Sequence, residues 1–328
     1  MLIRPFIGGL ASYVPALPTA SKRRAGGTDS ARYCYSVWLR HLVMAGKNGL
    51  STTPEIVAEL GPGNSLGIGL AALLSGSNSY YAFDVVKYAN TKSNLVVFDE
   101  LVELFKKRVS IPNESEFPTV KPYLEGYEFP AHILTEQRLL FSLEKHRVEA
   151  IREALSELGH SNGCERQIIY FAPWDNSDAM KEKSVDMIYS QAVLEHVNEL
   201  EHTYRMLSRW LKPGGFMSHQ IDFKSHEYAA QWNGHWAYSD LVWSFIRGRR
   251  PFLLNRQPHA THVNLLARNG FKVVCDQKIT TTSGITRRQL SRRFQNLSDE
   301  DLVTSSAFMQ AVKVSYAGRV RVPSFDRD

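Results

Sequence analysis

The feature that most constrains this chain is an apolar strand that runs into a glycine turn, followed directly by a helix and a second strand. Ile56–Leu60 is a short apolar segment that ends at Gly61-Pro62-Gly63, and the Ala/Leu-rich segment Leu66–Leu74 follows it. Tyr80–Phe83 is the next strand, and Asp84 comes directly after it. Strand, turn, helix and strand form a βαβ unit, in which the two strands are parallel and the crossover is right-handed. We therefore predict a doubly wound α/β fold.

The same alternation resumes further along the chain. Further predicted strands are Gln167–Phe171, Val185–Ser190, Phe216–Ile221, Phe271–Cys275 and Phe308–Val314. Together with the first two they predict a mainly parallel, Rossmann-like sheet of the seven-stranded type. Helical insertions at about 92–165 and 223–260 are expected to form a lid, and the first contains a predicted long helix over Leu139–Leu158.

These patterns predict three parts of the chain. Residues 1–50 form an N-terminal arm and a helix, and the arm, up to about residue 30, is expected to be irregular because Pro, Gly and Ser punctuate it. Residues 51–317 form one domain with the two insertions. Residues 318–328 are charged and form a flexible tail.

Composition places the chain among ordinary globular proteins. Of its 328 residues, 43% are hydrophobic and 22% are charged, which is enough apolar surface for a packed core. No uninterrupted apolar run reaches the roughly 18 residues that a transmembrane helix needs. The formal net charge of +6 is mildly basic and hints at an anionic partner.

Cysteine usage favours a reducing compartment. Cys34, Cys164 and Cys275 are scattered and form no CxxC pair, so neither a disulfide framework nor a metal site is expected. The N-terminal apolar stretch is interrupted by glycine and proline, whereas a signal peptide needs a continuous apolar block. We expect a cytoplasmic protein.

The glycine turn and the acid after the second strand point to a nucleoside-containing cofactor. Glycine lets the backbone approach a ligand closely, and the helix N-terminus beyond it favours a negatively charged group. An acid at Asp84 can accept hydrogen bonds from both ribose hydroxyls. A dinucleotide fingerprint would need glycine at position 66, where this chain has Leu66, and Pro62 removes one backbone donor. An NAD-dependent oxidoreductase is therefore disfavoured but stays open as an alternative.

Four motifs occur in order: Glu59-Leu-Gly61-Pro-Gly63, then Asp84, then Val185–His196 ending in Leu-Glu-His, then Leu211-Lys-Pro-Gly-Gly-Phe216. With them the chain resembles the class I S-adenosylmethionine-dependent methyltransferases, in the branch that has a Leu-Glu-His motif after the fourth strand and a Leu-Lys-Pro-Gly-Gly turn before the fifth. The resemblance covers about 56–90 and 166–222. Ser218–His226, together with Asn255-Arg256, is also similar to bacterial methyltransferases associated with cell-surface glycan assembly.

The resemblance implies a set of cofactor-binding residues for S-adenosyl-L-methionine. The glycine turn would lie under the methionine part, Asp84 would hold the ribose and Val85 would pack on the adenine. Trp174 or Asp175 would contact the adenine edge, while Gln191 and Ala192 would lie next to the sulfonium. Ser65 stands where the family has its third glycine. The implied set is Glu59, Gly61, Gly63, Ser65, Asp84, Val85, Trp174, Asp175, Gln191 and Ala192.

Transfer of a methyl group to an oxygen is helped by a general base near the carboxyl ends of the strands. Asp222, His226 and His196 are the candidate catalytic residues, and His219 is a further titratable group near this edge. Asp222 and His226 are four residues apart and would meet if that segment were helical. For His196 a purely structural role, in which its ring ties the turn to neighbouring backbone, is the favoured alternative.

The acceptor predicted from these features is a glycan or another small metabolite, methylated on oxygen in preference to nitrogen. Four arginines beside the lid (Arg247, Arg249, Arg250 and Arg256) raise the prospect of a phosphate-bearing acceptor. The neighbouring belt Trp232, Trp236, Tyr238 and Trp243 is more typical of packing than of binding. Arg287, Arg288, Arg292 and Arg293 are also compatible with peripheral contact with an acidic membrane, while no nucleic-acid-binding signature is present. A catalytically silent scaffold that binds the cofactor is the second alternative.

Overall fold

The computed structural model describes residues 3–13, 27–158, 167–174, 177–250 and 252–314. Within them the chain forms one seven-stranded sheet with the order β3-β2-β1-β4-β5-β7-β6. Strands β1 to β5 are mutually parallel, and β7 runs antiparallel between β5 and β6. The strands are β1 (Ile56–Leu60), β2 (Ser79–Phe83), β3 (Ile168–Phe171), β4 (Val185–Gln191), β5 (Leu211–Asp222), β6 (Phe271–Thr280) and β7 (Thr304–Lys313).

The strand order places a reversal of chain direction between β1 and β4. From β1 the chain steps outward to β2 and β3, and it then returns to add β4 on the other side of β1. In open α/β sheets such a switch point opens a crevice at the carboxyl ends of the strands, where ligands bind. The predicted doubly wound, mainly parallel fold is confirmed.

Helices cover both faces of the sheet. The described helices are α1 (Ile3–Ala11), α2 (Ala31–Lys47), α3 (Gly67–Leu74), α4 (Thr91–Lys106), α5 (Glu136–Ser142), α6 (Lys145–Ser156), α7 (Leu200–Trp210), α8 (Asp240–Arg247), α9 (His259–Arg268) and α10 (Asp299–Val303). The core on one face is formed by residues of α2, α3, α4 and α6. The core on the other face is formed by α7 and α9.

Helix α3 shows how tightly the first βαβ unit is packed. All eight of its residues are buried, so its apolar side chains need no amphipathic pattern. A Cβ built on Gly69 would lie 2.0 Å from the Tyr80 ring, and one on Gly67 would lie 2.4 Å from Cys34 Sγ. The glycines therefore let α3 lie directly against β2 and α2.

The first insertion differs from the predicted single helix over Leu139–Leu158. The chain breaks at Leu143 and forms α5 and α6 instead. The break lets an arginine from each helix reach the carboxyl end of α3: Arg138 Nε donates to Ser75 O at 2.7 Å, and Arg147 donates to Leu73 O and Ser77 O at 3.2 and 2.5 Å. Cationic donors satisfy carbonyls that the end of a helix leaves unpaired.

The prediction of an irregular N-terminal arm is wrong for the part of the arm that the structure describes. Ile3–Ala11 is a helix that packs on α8 of the second insertion. A Cβ built on Gly9 would lie 1.9 Å from Phe245 O, so the two helices touch backbone to backbone at Gly9. Residues 14–26, Cys164 and the tail 318–328 lie outside the described residues.

Candidate active site

The glycine turn after β1 adopts the backbone conformation that its glycines permit. Gly61 and Gly63 have φ values of +65° and +76°, a region that other residues rarely occupy. Gly61 N–H donates to Phe83 O at 2.7 Å, which joins the turn to the end of β2. A Cβ on Gly61 would lie 2.6 Å from Val193 Cγ2. The turn is therefore packed between the ends of β2 and β4, at the switch point.

Asp84 faces this turn. Its Oδ2 accepts a hydrogen bond from Gly63 N–H at 3.2 Å and its Oδ1 accepts one from Val85 N–H at 2.7 Å. Burial raises the pKa of the carboxyl, while these backbone donors act to lower it. Each carboxylate oxygen can accept a second hydrogen bond. Asp84 thus lies where a ribose placed over the glycine turn would reach it.

Glu59 lies beneath the turn rather than on its surface. Its Oε2 accepts hydrogen bonds from Tyr80 Oη of β2 and from Tyr189 Oη of β4, the latter at 3.1 Å. Burial raises the pKa of Glu59 to about 8 against the effect of those hydroxyls. The side chain therefore joins three strands under the loop, and its contact with a cofactor stays a prediction.

Ser65 connects the turn to the segment before α2. Its hydroxyl donates to Thr28 O, and its N–H donates to Thr28 Oγ1 at 3.2 Å. The next amide, of Leu66, donates to Asn94 Oδ1 of α4 at 2.9 Å. The amides that begin α3 are thus bound by side chains of this chain. Thr28 and Asn94 were not found from the sequence, because no local pattern marks a contact made between distant elements.

The segment after Asp84 presents apolar side chains to solvent beside the glycine turn. Val85, Val86 and Tyr88 are 37%, 42% and 40% exposed. A flat apolar group such as adenine would cover this kind of surface. The contact of Val85 with adenine stays a prediction.

Trp174 belongs mainly to the hydrophobic core. Its ring centroid lies 5.3 Å from that of Phe83 and 5.7 Å from that of Trp210. Its backbone N–H donates to Asp84 O at 2.7 Å, so it follows the Asp84 loop closely. Asp175 lies outside the described residues. The contact of either residue with adenine stays a prediction.

The end of β4 lies opposite Asp84 across the switch point. Ala192 has a φ of +54°, which is uncommon for a residue with a side chain, and its N–H donates to Gln220 O at 3.0 Å. The Gln191 side chain lies between α2 and the first insertion. Its Oε1 is 3.3 Å from His41 Nε2 of α2, and its Nε2 donates to Lys121 O at 3.4 Å. Both residues are therefore at the carboxyl edge of the sheet, and their contact with the cofactor stays a prediction.

The three predicted catalytic residues come together at the ends of β4 and β5. His226 Nε2 lies 3.5 Å from Asp222 Oδ2, and the rings of His226 and His196 are 5.3 Å apart. His226 has a φ of +45°, so a backbone turn rather than the expected helix brings it back to Asp222. Burial raises the pKa of Asp222, but the bond to His226 and the charge of Lys224 outweigh it, so the pKa falls below its usual value. An anionic Asp222 can orient His226 as a base.

His219 is not part of this group. It points to the α7–α9 face, where its Nδ1 is 2.8 Å from Ser190 Oγ. Burial lowers its pKa to about 3, so it stays neutral.

Sequence reasoning missed two buried residues behind Asp222. Glu195 Oε1 accepts from Asp222 N–H at 3.3 Å, while Oε2 has no hydrogen-bond partner among the described residues. Burial raises the pKa of Glu195 well above its usual value. His235 is also buried, and burial followed by the charge of Arg256 lowers its pKa to about 3. The Leu-Glu-His motif was the available signal for Glu195, whereas His235 had none.

The lid arginines and aromatic residues serve mainly to build the second insertion. Arg256 is buried, donates to Asp240 Oδ1 at 2.6 Å and lies over the rings of Trp243 and Phe294. Arg250 donates to Pro5 O at 3.1 Å and so holds α1. The belt Trp232, Trp236, Tyr238 and Trp243 packs into two small clusters. Arg256 is therefore already bound within the fold. A phosphate group on the acceptor would need a different cationic partner.

A family model described as "Methyltransferase domain" matches residues 71–276, which is more than half of the chain. The chain belongs to this methyltransferase family. The match begins inside α3 and extends into β6, so it includes Asp84, the end of β4 and the Asp222–His226 pair. The NAD-dependent oxidoreductase alternative is thereby removed.

Solved structures with a similar fold have low sequence identity to this methyltransferase. An S-adenosylmethionine-dependent methyltransferase from Mesorhizobium loti is 14% identical, with 79% of this chain and 91% of that chain covered and a TM-score of 0.38. One from Methanosarcina mazei is 12% identical, with 82% and 96% covered and a TM-score of 0.41. Scores of this size transfer no residue role. A search of curated proteins found no match.

Membership of the methyltransferase family implies S-adenosylmethionine as the cofactor. The residues present fit it, because the turn has the two positive-φ glycines, the Asp84 carboxylate faces that turn and an exposed apolar segment follows. Within the described residues, no group of three or more His, Cys, Asp or Glu side chains is arranged to bind a metal ion. None of the described helices is both long and apolar enough to span a bilayer.

Proposed function

We propose that this methyltransferase transfers a methyl group from S-adenosylmethionine to an oxygen of a glycan or another small metabolite, in preference to a nitrogen. The observation that carries the proposal is the Asp222–His226 pair, with His196 beside it, at the strand edge where the acceptor has to meet the methyl group. A hydroxyl is a weak nucleophile and gains from a base that removes its proton.

The proposed chemistry divides between the cofactor and the protein. When bound at the glycine turn and Asp84, S-adenosylmethionine would supply a methyl group on a positively charged sulfur, which would leave with the electron pair of the carbon–sulfur bond. His226 takes the proton from the acceptor hydroxyl, and Asp222 stabilises the resulting imidazolium. We expect the second insertion to exclude water around this pair once the acceptor covers its exposed side. The glycan part of the proposal is supported by the resemblance of Ser218–His226 and Asn255-Arg256 to glycan-associated enzymes.

Asn255 gives this second motif a structural reason. Its Nδ2 donates to Leu194 O at 2.7 Å and to Val197 O at 2.8 Å, and its N–H donates to Glu195 O at 2.8 Å. It thus holds the turn that carries His196. The two sequence motifs are parts of one site.

The test is incubation with cofactor labelled in the methyl group and a cell extract separated into glycans, lipids, small metabolites and RNA. We expect label in the glycan or small-metabolite fraction, on base-stable ether linkages. Label confined to RNA, lipid or protein would contradict the acceptor class. Tight cofactor binding with no transfer to any fraction, unchanged in Asp222 or His226 variants, would support the silent scaffold instead.

A further inference from the structure

A cavity of about 320 Å³ lies beside the candidate active site, on the α2 face of the sheet. Its walls are the Lys121–Tyr123 segment of the first insertion and residues of β6 and β7, including Ile279, Ser306 and Phe308. A space of this size takes a small organic molecule.

The cavity adjoins the methyl-transfer edge at two points. Gln191, at the end of β4, donates to Lys121 O at 3.4 Å, so the wall residue Lys121 is bound to the strand end next to the predicted sulfonium position. Ser306 lies opposite Asp222 in the β5–β7 ladder. Residues that face each other in an antiparallel pair have Cα atoms about 4.5–5.5 Å apart. The cavity thus extends away from the catalytic pair along β7.

The wall of the cavity is apolar with a cationic side. Pro122, Tyr123, Ile279 and Phe308 supply apolar surface, and the wall contains no Asp or Glu. Lys121 Nζ lies 3.3 Å from the centroid of the Tyr123 ring and donates to Pro118 O at 3.2 Å. Among the described residues no carboxylate lies within 4.0 Å of it. The second lysine of the wall, Lys278, is already paired with Glu300 and Asp276.

A second positive charge lies behind the same wall. Arg40 of α2 is fully buried and donates to Pro122 O at 2.5 Å and to Pro112 O at 3.0 Å. Its guanidinium makes no ion pair within the described part of the chain. Carbonyls and the Tyr127 hydroxyl hold the guanidinium in place. Glu114, which is exposed, is the carboxylate that acts on both Arg40 and Lys121 from beyond ion-pair distance. Two cations thus stand against one solvent-screened carboxylate on this side of the cavity.

We propose that this cavity binds the methyl acceptor and that the acceptor has an apolar body and an anionic group, a carboxylate or a phosphate. The anionic group pairs with Lys121, the body lies on Tyr123 and Phe308, and the hydroxyl to be methylated points toward Asp222. This inference rests on the proposed function, whose acceptor class it narrows.

Binding of four probes tests the cavity without knowledge of the natural acceptor: 2-naphthoate, 2-naphthyl phosphate, neutral 2-naphthamide and inorganic phosphate, each by calorimetry. We expect both anionic naphthyl probes to bind about tenfold more tightly than the amide or phosphate alone, which is the size of one charge-assisted contact. The stronger of the two anions identifies the acceptor's group. Equal binding of amide and anions would overturn the charge argument.

Two variants, Lys121→Met and Ile279→Trp, locate the binding, and two further variants serve as controls. Lys121→Met should bring the anionic probes to the affinity of the amide, while Lys121→Arg keeps their advantage and Lys145→Met, an exposed lysine on α6, changes nothing. Ile279→Trp should fill the cavity and weaken all three naphthyl probes. If Lys121→Met does not fold, two other measurements test the site. Ile279→Trp tests whether the probes bind in the cavity, and loss of the wild type's preference for the anionic probes at high salt tests whether a charge holds them. Probe binding unaffected by Ile279→Trp would contradict the cavity as the site.

A parallel titration with S-adenosylhomocysteine separates this inference from the proposed function. Binding of the nucleoside without binding of the naphthyl probes would remove the cavity as acceptor site and leave the methyltransferase intact. Binding of the probes at Lys121 without any methyl transfer to acidic acceptors would leave an anion site and remove its role in the reaction. Transfer to an acidic acceptor that Lys121→Met weakens about tenfold in KM supports both.

Discussion

At the scale of single residues, Asp84 tests the cofactor site most directly. Its carboxylate faces the glycine turn and has acceptor capacity beyond the two backbone amides that it binds. Asp84→Ala removes both predicted bonds to the ribose, so we expect the affinity for S-adenosylhomocysteine to fall by about 10²- to 10⁴-fold, at roughly 1.5–3 kcal/mol for each of the two bonds to a charged group. Isothermal titration calorimetry measures this affinity.

The control for Asp84→Ala is Asp299→Ala, which removes an exposed carboxylate from α10 and should leave the affinity unchanged. Circular dichroism of both variants checks the fold. If Asp84→Ala folded and bound the cofactor as tightly as the wild type, the ribose would have to lie elsewhere.

His226 tests the catalytic assignment. His226→Gln keeps a polar side chain but removes the base, so we expect kcat to fall by about 10²- to 10⁴-fold with cofactor affinity unchanged. Asp222→Asn should have a smaller effect in the same direction, since it leaves the imidazole in place without its oriented anion. Labelled-methyl transfer to the active fraction measures both.

His202→Gln is the matched control, because His202 is exposed on α7 and is not part of the group formed by Asp222, His226 and His196. If His226→Gln transferred methyl groups as fast as the wild type, the acceptor would need no base, as is the case for a nitrogen nucleophile.

At the scale of elements, the contact between α1 and α8 shows how the N-terminal helix joins the second insertion. A side chain at position 9 has no room, because the Phe245 carbonyl oxygen lies 1.9 Å from a Cβ built there. Gly9→Val should therefore release α1 from α8, which hydrogen exchange would report as loss of protection in residues 3–13 and 240–250. The thermal midpoint of the sheet should change little.

Gly8→Ala controls for the helix propensity of the substitution. Its Cβ would meet only the flexible end of Arg250 at 3.0 Å, so α1 should stay in place. Unchanged exchange in Gly9→Val would mean that the helices do not rest on each other at this glycine.

The elements could be predicted from the sequence wherever a local pattern determines them. The strands β1, β2 and β4 and the turn at Gly61 follow from short apolar runs between turn residues, and their positions are within a residue or two of those expected. The break at Leu143 and the helix at residues 3–11 could not be predicted, because each depends on a distant partner: the carbonyls at the end of α3 and the backbone of α8.

The site follows the same division. Asp84, Asp222 and His226 are at strand ends that the pattern predicts, so their proximity could be expected from the topology alone. Lys121 and Arg40 could not be found in this way. They come from an insertion and a helix without a motif, and only the folded chain brings them to the wall of the cavity.

At the scale of the whole molecule, buried titratable groups predict how stability depends on pH. Burial lowers the pKa of His41 to about 4 and those of His219, His235 and His262 to about 3, against an ordinary value of 6.5. The unfolded chain therefore binds protons at these positions below pH 6.5 while the folded chain does not. The free energy of unfolding should fall as the pH drops below 6.5, and it should stop falling from this cause once the folded histidines titrate.

Glu59 acts in the opposite direction, and it gives this prediction its sharpest test. Its pKa is about 8 in the folded chain and near 4.5 when unfolded, so between these values the folded state keeps a proton that the unfolded state has lost. Stability from this group is therefore full below pH 4.5 and is lost progressively up to pH 8, by on the order of a few kcal/mol.

Glu59→Gln removes the titrating group and keeps an oxygen that can accept from Tyr80 and Tyr189. Urea unfolding across this range should show the wild type losing stability above pH 6.5, where the histidines no longer contribute, and Glu59→Gln losing much less. A control variant, Glu157→Gln at the exposed end of α6, should follow the wild type. Parallel curves for the wild type and Glu59→Gln would mean that Glu59 is ionised in the folded protein, in which case the two tyrosine hydroxyls and the Gly69 backbone would have to stabilise a buried charge beneath the glycine turn.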